Sequence, residues 1–176
     1  MRDGFVASTR EIARLAGVSE ALIFQRFTKK EDLFFAAMIP PPVELGALFQ
    51  HPNLNGRQLI EQVVLSMVDY FRQTLPVLIP LMSHPAFQFE EFAARYPNSS
   101  MVALRKELAG FVVRQQAAGW IAKVDPGAAA LHLWSIAHTV AFFEHLGAHG
   151  GKFPDSFLRT AVDCLWQGLK PSADVI

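Results

Sequence analysis

Residues 8–34 read STREIARLAGVSEALIFQRFTKKEDLF, and this stretch decides the fold of the N-terminal part of the chain. Ser8 and Glu11 form a capping box, a serine followed three residues later by glutamate, which is typical of a helix N-terminus. We expect the helix that they start to end at Gly17, because glycine is common just past a helix C-terminus. Ser19 then caps a second short helix. Two short helices joined by a tight glycine turn predict a helix-turn-helix.

Further helices are predicted where apolar residues recur at spacings of three and four, and no strand-like alternation appears. The second helix spans residues 20–27, and a second capping box at Thr28 and Glu31 opens a third helix through about residue 39. In the body, helices are predicted over residues 57–75, 77–82, 85–96, 98–118, 125–146 and 154–169. Pro76 is expected to end the first of these and Pro80 to interrupt the second. The sequence therefore predicts an all-α fold, with a helix-turn-helix head and an antiparallel helical body.

Prolines mark the one break in composition along the chain. Residues 39–56 include Pro40, Pro41 and Pro42, and three consecutive prolines cannot continue a helix. We therefore divide the chain into four parts. They are a head at 1–38, a proline-rich linker at 39–56, a helical body at 57–171 and a short tail at 172–176.

Charge and composition narrow the classes of function. The 176 residues include 16 Lys and Arg against 16 Asp and Glu, so the formal net charge is zero. This balance excludes a strongly basic nucleic-acid or membrane binder, although a locally basic surface remains possible. The chain also has 15 Phe residues. This excess indicates either dense aromatic packing or an apolar pocket.

The sequence also bears on compartment and membrane. Cys164 is the only cysteine, so an internal disulfide is excluded, and no secretory signal follows Met1. We expect Cys164 to be a buried, inert thiol. The uncharged run at 126–143 includes two histidines and opens with Pro-Gly, which favours a buried helix over a membrane span. We expect a cytoplasmic protein without a membrane segment.

The stretch at 8–34 closely resembles the DNA-binding segment of the tetracycline-repressor (TetR) family. The resemblance runs without a gap and rests on the Ala-Gly-Val-Ser turn at 16–19, the Phe-x-x-Phe pattern at 24–27 and the Lys-Glu-x-Leu-Phe sequence at 30–34. It implies a transcriptional regulator, most often a repressor, that binds a palindromic double-stranded DNA operator as a homodimer. It also implies that an apolar or aromatic small molecule, bound in the body, releases the DNA.

The head offers specific candidates for DNA contact. The leading end of a recognition helix reaches base edges in the major groove, so Glu20 and Ala21 are candidates for base reading, with Gln25 one turn further. Arg26 and Lys30 add positive charge beside helix N-termini that can hold phosphates. The resemblance implies contacts to the DNA backbone from Thr9, Ser19, Phe24, Gln25 and Lys30.

Two features depart from the family pattern. Phe24 stands where the family usually has tyrosine, so one hydroxyl donor to phosphate is missing, and Arg26 is the candidate to replace it. Family members also begin with a further helix before the Gly-Phe pair that matches Gly4 and Phe5. We expect an upstream start, a partly unfolded head, or another segment that covers apolar side chains such as Leu15.

Methionine and aromatic residues in the body suit an adaptable apolar cavity. The candidate ligand-binding residues are Met67, Phe71, Phe87, Phe89, Phe92, Phe111, Trp134 and His138. Taken singly, each is better explained as an ordinary core residue. The excess of Phe between residues 87 and 111 is what favours a cavity for an apolar or aromatic ligand.

Small residues at helical spacing on the last two predicted helices indicate a four-helix contact across a two-fold axis. The candidate dimer-interface residues are Ala137, Ala141, Phe142, His145, Phe157, Ala161, Leu165 and Gly168. A two-fold dimer would match a palindromic operator whose half-sites are separated by whole helical turns.

Enzyme motifs are absent from the sequence: it has no glycine-rich phosphate loop, nucleophile elbow or paired carboxylates. His145 and His149 have a metal-compatible spacing, but Gly147 is expected to end the helix between them. We therefore expect no catalytic site, no metal and no cofactor. Two alternatives stay open: a helical ligand-binding or interaction module whose head does not bind DNA, and a small enzyme with a metal near His145.

Overall fold

The computed structural model describes residues 7–41, 43, 45–46 and 54–170, without the side chain of Met101. These residues form eight helices and no strand, so the all-α class is confirmed. The helices are α1 (Thr9–Ala16), α2 (Glu20–Arg26), α3 (Lys30–Ala37), α4 (Gly56–Met82), α5 (Phe89–Arg95), α6 (Ser100–Ala117), α7 (Pro126–Leu146) and α8 (Asp155–Leu169). Gly4, Phe5, much of the linker and the tail at 172–176 lie outside the described residues.

The helix-turn-helix forms as the sequence predicts. The Ser8 hydroxyl accepts a hydrogen bond from the Glu11 N–H at 3.1 Å and caps α1. Gly17 then adopts a φ of +68°, which glycine tolerates because it has no Cβ. The Ser19 hydroxyl accepts from the Leu22 N–H at 3.2 Å and caps α2. These three local signals set the bounds of both short helices.

The third helix begins one residue later than the sequence indicates. Lys29 is the N-cap residue, and its N–H donates to the Asp32 carboxylate at 3.2 Å. The expected capping box of Thr28 and Glu31 is therefore wrong, because Asp32 takes the role given to Glu31. The helix ends at Ala37, two residues before the expected end.

The fourth helix is continuous, so the predicted break at Pro76 is wrong. One helix of 27 residues, Gly56–Met82, includes both Pro76 and Pro80. Each proline removes one backbone hydrogen bond, but packing on the opposite face of the helix continues through both positions. Leu78 and Leu81 are buried, whereas both prolines, four residues apart, lie on the exposed face.

The core of the body forms where α4, α6, α7 and α8 meet. α4 packs along α7 as the central pair, α6 packs on α7, and α8 packs on α4. Phe111, Leu133 and Leu158 are fully buried between them. Leu45 is also fully buried in this core, although it lies in the segment that we interpreted as a linker. The described part of that segment is therefore anchored to the body.

A second apolar cluster joins the head to the body. Met38, which follows α3, is buried with Leu78, Leu81 and Phe92, and the rings of Phe34, Phe35 and Phe87 are among those packed around them. We call this set the head–body cluster. Beside it, Arg95 Nη1 on α5 donates to Asp32 Oδ1 on α3 at 2.5 Å. Part of the Phe excess is thus explained by this joint.

The seventh helix has the predicted bounds. The Asp125 carboxylate accepts from the Ala128 N–H at 2.7 Å, Pro126 occupies the first turn, and Gly147 ends the helix with a φ of +67°. This helix contains the long uncharged run of the sequence. Within the part of the chain that the structure describes, no helix is long and apolar enough to cross a membrane.

Candidate functional site

The recognition helix presents an exposed surface. The side chains of Ala21, Phe24, Gln25 and Arg26 are all exposed on α2, and Lys30 is half-buried at the start of α3. Four of the candidate DNA-contacting residues therefore share one accessible helix. Ser19 is exposed too, but its hydroxyl already caps α2. The hydroxyl accepts in this cap, so its O–H donor and the backbone N–H groups of the first turn are left for a phosphate contact at this position.

Thr9 and Glu20 contact each other. The Thr9 hydroxyl donates to Glu20 Oε1 at 2.5 Å, and both residues are half-buried. This bond ties the first turn of α1 to the first turn of α2 and so holds the two helices at a set angle. The sequence assigns Thr9 to phosphate and Glu20 to bases, and both assignments stay predictions. The structure adds a positioning contact that spacing alone does not reveal.

Apolar side chains remain exposed on the head. Leu15 and Val18 are exposed, as expected from the sequence, and Leu22 on the recognition helix is half exposed. Ile23 is buried. The described helices of the head therefore bury Ile23 but leave Leu15, Val18 and Leu22 exposed.

An apolar cavity of about 400 Å³ lies between α4, α5, α6 and α7. Its size is within the range of small-molecule sites. Its lining residues are Tyr70, Phe71, Leu75, Leu78, Ile79, Met82, Phe89, Ser100, Leu104, Arg105, Leu131, Trp134, His138 and Phe142.

The cavity brings together half of the candidate ligand-binding residues. Phe71, Phe89, Trp134 and His138 line it. The others lie elsewhere: Met67 and Phe111 are fully buried in the core, and Phe87 and Phe92 belong to the head–body cluster. Aromatic residues line the cavity and also fill the core and the head–body cluster. The sequence alone therefore cannot tell which of the aromatic residues line the cavity.

Aromatic rings form one wall of the cavity. The Phe71 ring meets Trp134 edge-on with centroids 5.1 Å apart and meets His138 at 5.3 Å. His138 is in turn stacked on Phe142 at 5.8 Å with an interplanar angle of 13°. Such edge-to-face and stacked pairs fix ring orientations. The wall is therefore a preformed aromatic surface.

The polar groups of the cavity are few and mostly satisfied. Burial raises the pKa of Tyr70, whose hydroxyl hydrogen-bonds Ser100. The Ser100 hydroxyl donates to the carbonyl oxygen of Pro40 at 2.9 Å. A chain of hydrogen bonds thus runs from the cavity wall to the segment that connects the head. Neither Tyr70 nor Ser100 is evident as a site residue from sequence, because no local pattern marks them.

The imidazole of His138 makes the stability of the protein depend on pH. Burial lowers the pKa of His138 below its usual value of 6.5. As the pH falls, the imidazole is therefore protonated at a lower pH in the folded protein than in the unfolded chain. Stability is therefore fully present above about pH 6.5 and falls as the pH drops through the lowered pKa. We expect the Tm of the protein to fall more steeply between pH 7 and pH 5 than the Tm of a His138→Gln variant.

His145→Gln provides the matched control, because His145 lies on the same helix and is exposed. Thermal melts followed by circular dichroism at half-unit pH steps would measure the slopes. If His138→Gln keeps the wild-type slope of Tm against pH, or if His145→Gln loses that slope, His138 is not the cause of the pH dependence.

The small-residue stripe of α7 faces the inside of the protomer. Ala137 is 0% exposed and Ala141 1% exposed, and both pack in the core of the same chain. Their assignment to a dimer interface is therefore wrong: small side chains here allow close packing of neighbouring helices within the protomer. Phe142 lines the cavity. His145 is exposed but, two residues from Phe143, points to nearly the opposite side of the helix.

Another face of α7, together with one face of α8, remains uncovered. Helical spacing places His132, Ile136, Thr139, Phe143 and Leu146 in one line on α7, and Phe157, Ala161, Cys164, Leu165 and Gly168 in one line on α8. We call these residues the exposed stripe. Phe143, Leu146 and Phe157 are 43%, 57% and 44% exposed. Four of its members, Phe157, Ala161, Leu165 and Gly168, are among the predicted interface residues.

Cys164 is exposed within this stripe, so the expectation of a buried thiol is wrong. An apolar stripe on a terminal helix need not face its own core. The described residues include no group of three or more His, Cys, Asp or Glu that could hold a metal ion. The ring of His149 is stacked on Phe153 at 3.9 Å, beyond the end of α7.

The described residues thus define a class of protein, an all-α chain with a helix-turn-helix head on a helical body that holds an apolar cavity. Residues 2–37 match the family of bacterial regulatory proteins named after tetR. The match covers the head that the sequence identifies, so the resemblance to the tetR family is confirmed for these residues. No curated protein matches the chain significantly.

Solved structures show the same fold over nearly the whole chain. A protein of unknown function from Rhodococcus sp. RHA1 has a TM-score of 0.72 and 20% identity, over 94% of this chain and 86% of that one. The flavonoid-responsive regulator FrrA has a TM-score of 0.67 and 20% identity, over 98% of this chain and 91% of its own. At this identity the likeness establishes the fold.

Proposed function

We propose that the protein is a cytoplasmic, ligand-responsive transcriptional regulator that represses its target genes. In this proposal, a homodimer binds a palindromic operator, and an apolar or aromatic small molecule releases it. The observation that carries the proposal is the tetR-family head at 2–37, whose recognition helix presents Ala21, Gln25 and Arg26 to solvent. No catalytic role enters the proposal.

The proposed release depends on α4, which is shared between cavity and head. Leu78 lines the cavity and also belongs to the head–body cluster, where Met38 follows the last helix of the head. A ligand that favours one position of this part of α4 would therefore favour one position of α3. The effect is a shift of population between two arrangements of the head, set by the difference in ligand affinity for them.

The aromatic wall supports an aromatic effector. Phe71, Trp134 and Phe142 present ring faces and edges around the cavity, a surface suited to planar apolar molecules. FrrA, which has the same fold, is named for its response to flavonoids. We propose a ligand of comparable aromatic character here.

Dimer formation is proposed through the exposed stripe. Its residues combine large apolar side chains on both helices with small ones on α8, so the two helices of one protomer could pack against those of a second copy. A two-fold arrangement buries the same stripe of both protomers.

Arg26→Ala tests the DNA-binding part of the proposal. Arg26 is exposed at the end of the recognition helix, and we expect it to neutralise one phosphate in each half-site. The variant should bind all sequences more weakly, and the slope of log affinity against log salt should become shallower by about two, one for each protomer. Fluorescence anisotropy with the DNA upstream of its own gene measures both quantities.

Arg14→Ala is the matched control. Arg14 lies in the same head, but its guanidinium already bonds Glu11 at 2.7 Å and 3.1 Å. Its loss should leave the salt slope unchanged. Equal slopes for Arg26→Ala and the wild-type protein would contradict the phosphate contact. If the wild-type protein binds no DNA specifically, a ligand-binding module with a silent head becomes the better description.

A further inference from the structure

The apolar cavity opens beside a cationic groove. Arg105 and Leu131 line the cavity, and the same two residues line a groove between α6 and α7. This groove has a volume of about 570 Å³ and is lined by Val102, Arg105, Lys106, Ala109, Gly127 and Leu131. Arg105, Lys106 and Leu131 are all exposed, so solvent reaches this junction. The two spaces are therefore neighbours that share one wall.

Arg105 differs from the other arginines of the body. Arg57, Arg72 and Arg95 each bind a carboxylate at 2.5–2.7 Å. Among the residues that the structure describes, the side chains of Arg105 and Lys106 make no ion pair or hydrogen bond. Two unneutralised cations thus stand next to each other at the edge of an apolar cavity.

The described residues that line the groove include no Asp or Glu. The carboxylate of Asp125 lies near Gly127, but it accepts from the Ala128 N–H and caps α7, where the N-terminal end of the helix dipole offsets its negative charge. The groove therefore offers positive charge to whatever occupies it. An anion there keeps part of its hydration, which avoids the cost of burying an isolated charge.

We propose that the effector is an amphipathic organic anion, whose apolar body fills the cavity while its carboxylate, or a similar acidic group, binds Arg105 and Lys106 in the groove. The inference rests on the proposed function of the cavity as an effector site. The guanidinium of Arg105 presents paired N–H donors that match a carboxylate, and Lys106 adds a second charge. Leu131, shared by both spaces, would contact the molecule where its apolar body meets its acidic group.

Matched pairs of probes test the proposal. Each pair has one apolar body with either a carboxylate or a neutral hydroxyl: decanoate against 1-decanol, and 1-naphthaleneacetate against 1-naphthaleneethanol. Isothermal titration calorimetry with the full chain measures the four affinities. We expect at least one carboxylate to bind about tenfold or more tightly than its alcohol, because hydrogen bonds to charged groups contribute more than neutral ones.

Charge removal should abolish this preference. In Arg105→Gln and in the double variant with Lys106→Gln, the carboxylate should lose about tenfold or more in affinity while the alcohol keeps its own. Arg114→Gln is the matched control, because Arg114 is exposed on the same helix but lines neither space. Circular dichroism melts of each variant check that the fold is retained.

The outcomes separate the two proposals. If carboxylate and alcohol bind equally, or if the glutamine variants keep the preference, the anion inference is overturned and the effector cavity stands. If none of the four probes binds, the cavity fails as an effector site and the inference fails with it. Loss of carboxylate binding in Arg114→Gln would also overturn the assignment to Arg105.

Discussion

Replacing Arg72 with alanine is expected to destabilise the protein by about 3 kcal/mol, the low end of the cost of breaking a buried ion pair. The Arg72 guanidinium donates to both carboxylate oxygens of Glu144, at 2.7 Å and 2.8 Å. Glu144 is only 6% exposed and also accepts from the Phe153 N–H at 2.8 Å. Without Arg72, this buried carboxylate would lose its charged partner. Urea unfolding at pH 7 measures the loss.

The same pair predicts a change in acid sensitivity. Arg72 holds the pKa of Glu144 below its usual value of 4.5. The pair therefore contributes stability above about pH 4.5, and this contribution is lost as the pH falls through the lowered pKa. In Arg72→Ala, stability should decline less between pH 5 and pH 3 than in the wild-type protein.

Arg159→Ala is the control for an exposed pair. Arg159 is 66% exposed and lies 3.5 Å from Glu61, so its loss should cost well under about 1 kcal/mol. If Arg72→Ala costs no more than this control, the buried pair does not stabilise the fold. Glu144→Gln extends the test, because it removes the charge while leaving an oxygen for the Phe153 N–H.

The head is predictable from sequence because local interactions determine it. The Ser8 and Ser19 caps and the positive φ of Gly17 depend on residues at most four apart. The same holds for Asp125 and Gly147 at the ends of α7. At the start of α3, Glu31 and Asp32 could each accept the capping hydrogen bond, and residue spacing alone predicts the wrong one. The sequence therefore does not determine the bounds of α3.

Tertiary contacts explain what the sequence does not predict. Pro76 and Pro80 read as breaks, yet α4 continues because its opposite face is buried against the body and the head–body cluster. The sequence predicts a linker at Leu45, but this residue lies in the core. Arg72 and Glu144 meet across 72 residues of sequence. None of these contacts has a local signature.

The cavity and the interface show the same limit. Aromatic composition predicts a cavity, and four of the eight candidate residues line it, but core and cavity use the same residue types. On α7, the sequence offers two helix faces that could form a dimer interface, one with Ala137 and Ala141 and one with Phe143 and Leu146. Only the position of α4 decides that Ala137 and Ala141 face inward while Phe143 and Leu146 face outward. No sequence pattern marks Arg105 as a candidate site residue, because its proposed role depends on its position between the cavity and the groove.

Phe143→Asp is expected to convert the proposed dimer to a monomer and to weaken operator binding by about two orders of magnitude. Phe143 lies in the outward line of α7 and is 43% exposed, so aspartate is tolerated in the folded protomer. In a two-fold interface, two carboxylates would be brought close together in an apolar contact. Linked half-sites gain affinity through effective concentration, and that gain would be lost. Sedimentation velocity and anisotropy with the operator measure both effects.

Val113→Asp is the matched control, an exposed apolar residue on α6, outside the stripe. It should stay dimeric and bind DNA as the wild-type protein does. Cys164 gives an independent readout, because it lies in the exposed stripe and is the only cysteine. Its thiol should react slowly with a bulky maleimide in the wild-type dimer and rapidly in Phe143→Asp. A dimer that persists with a reactive Cys164 would place the interface elsewhere, because a shielded stripe and an accessible thiol are incompatible.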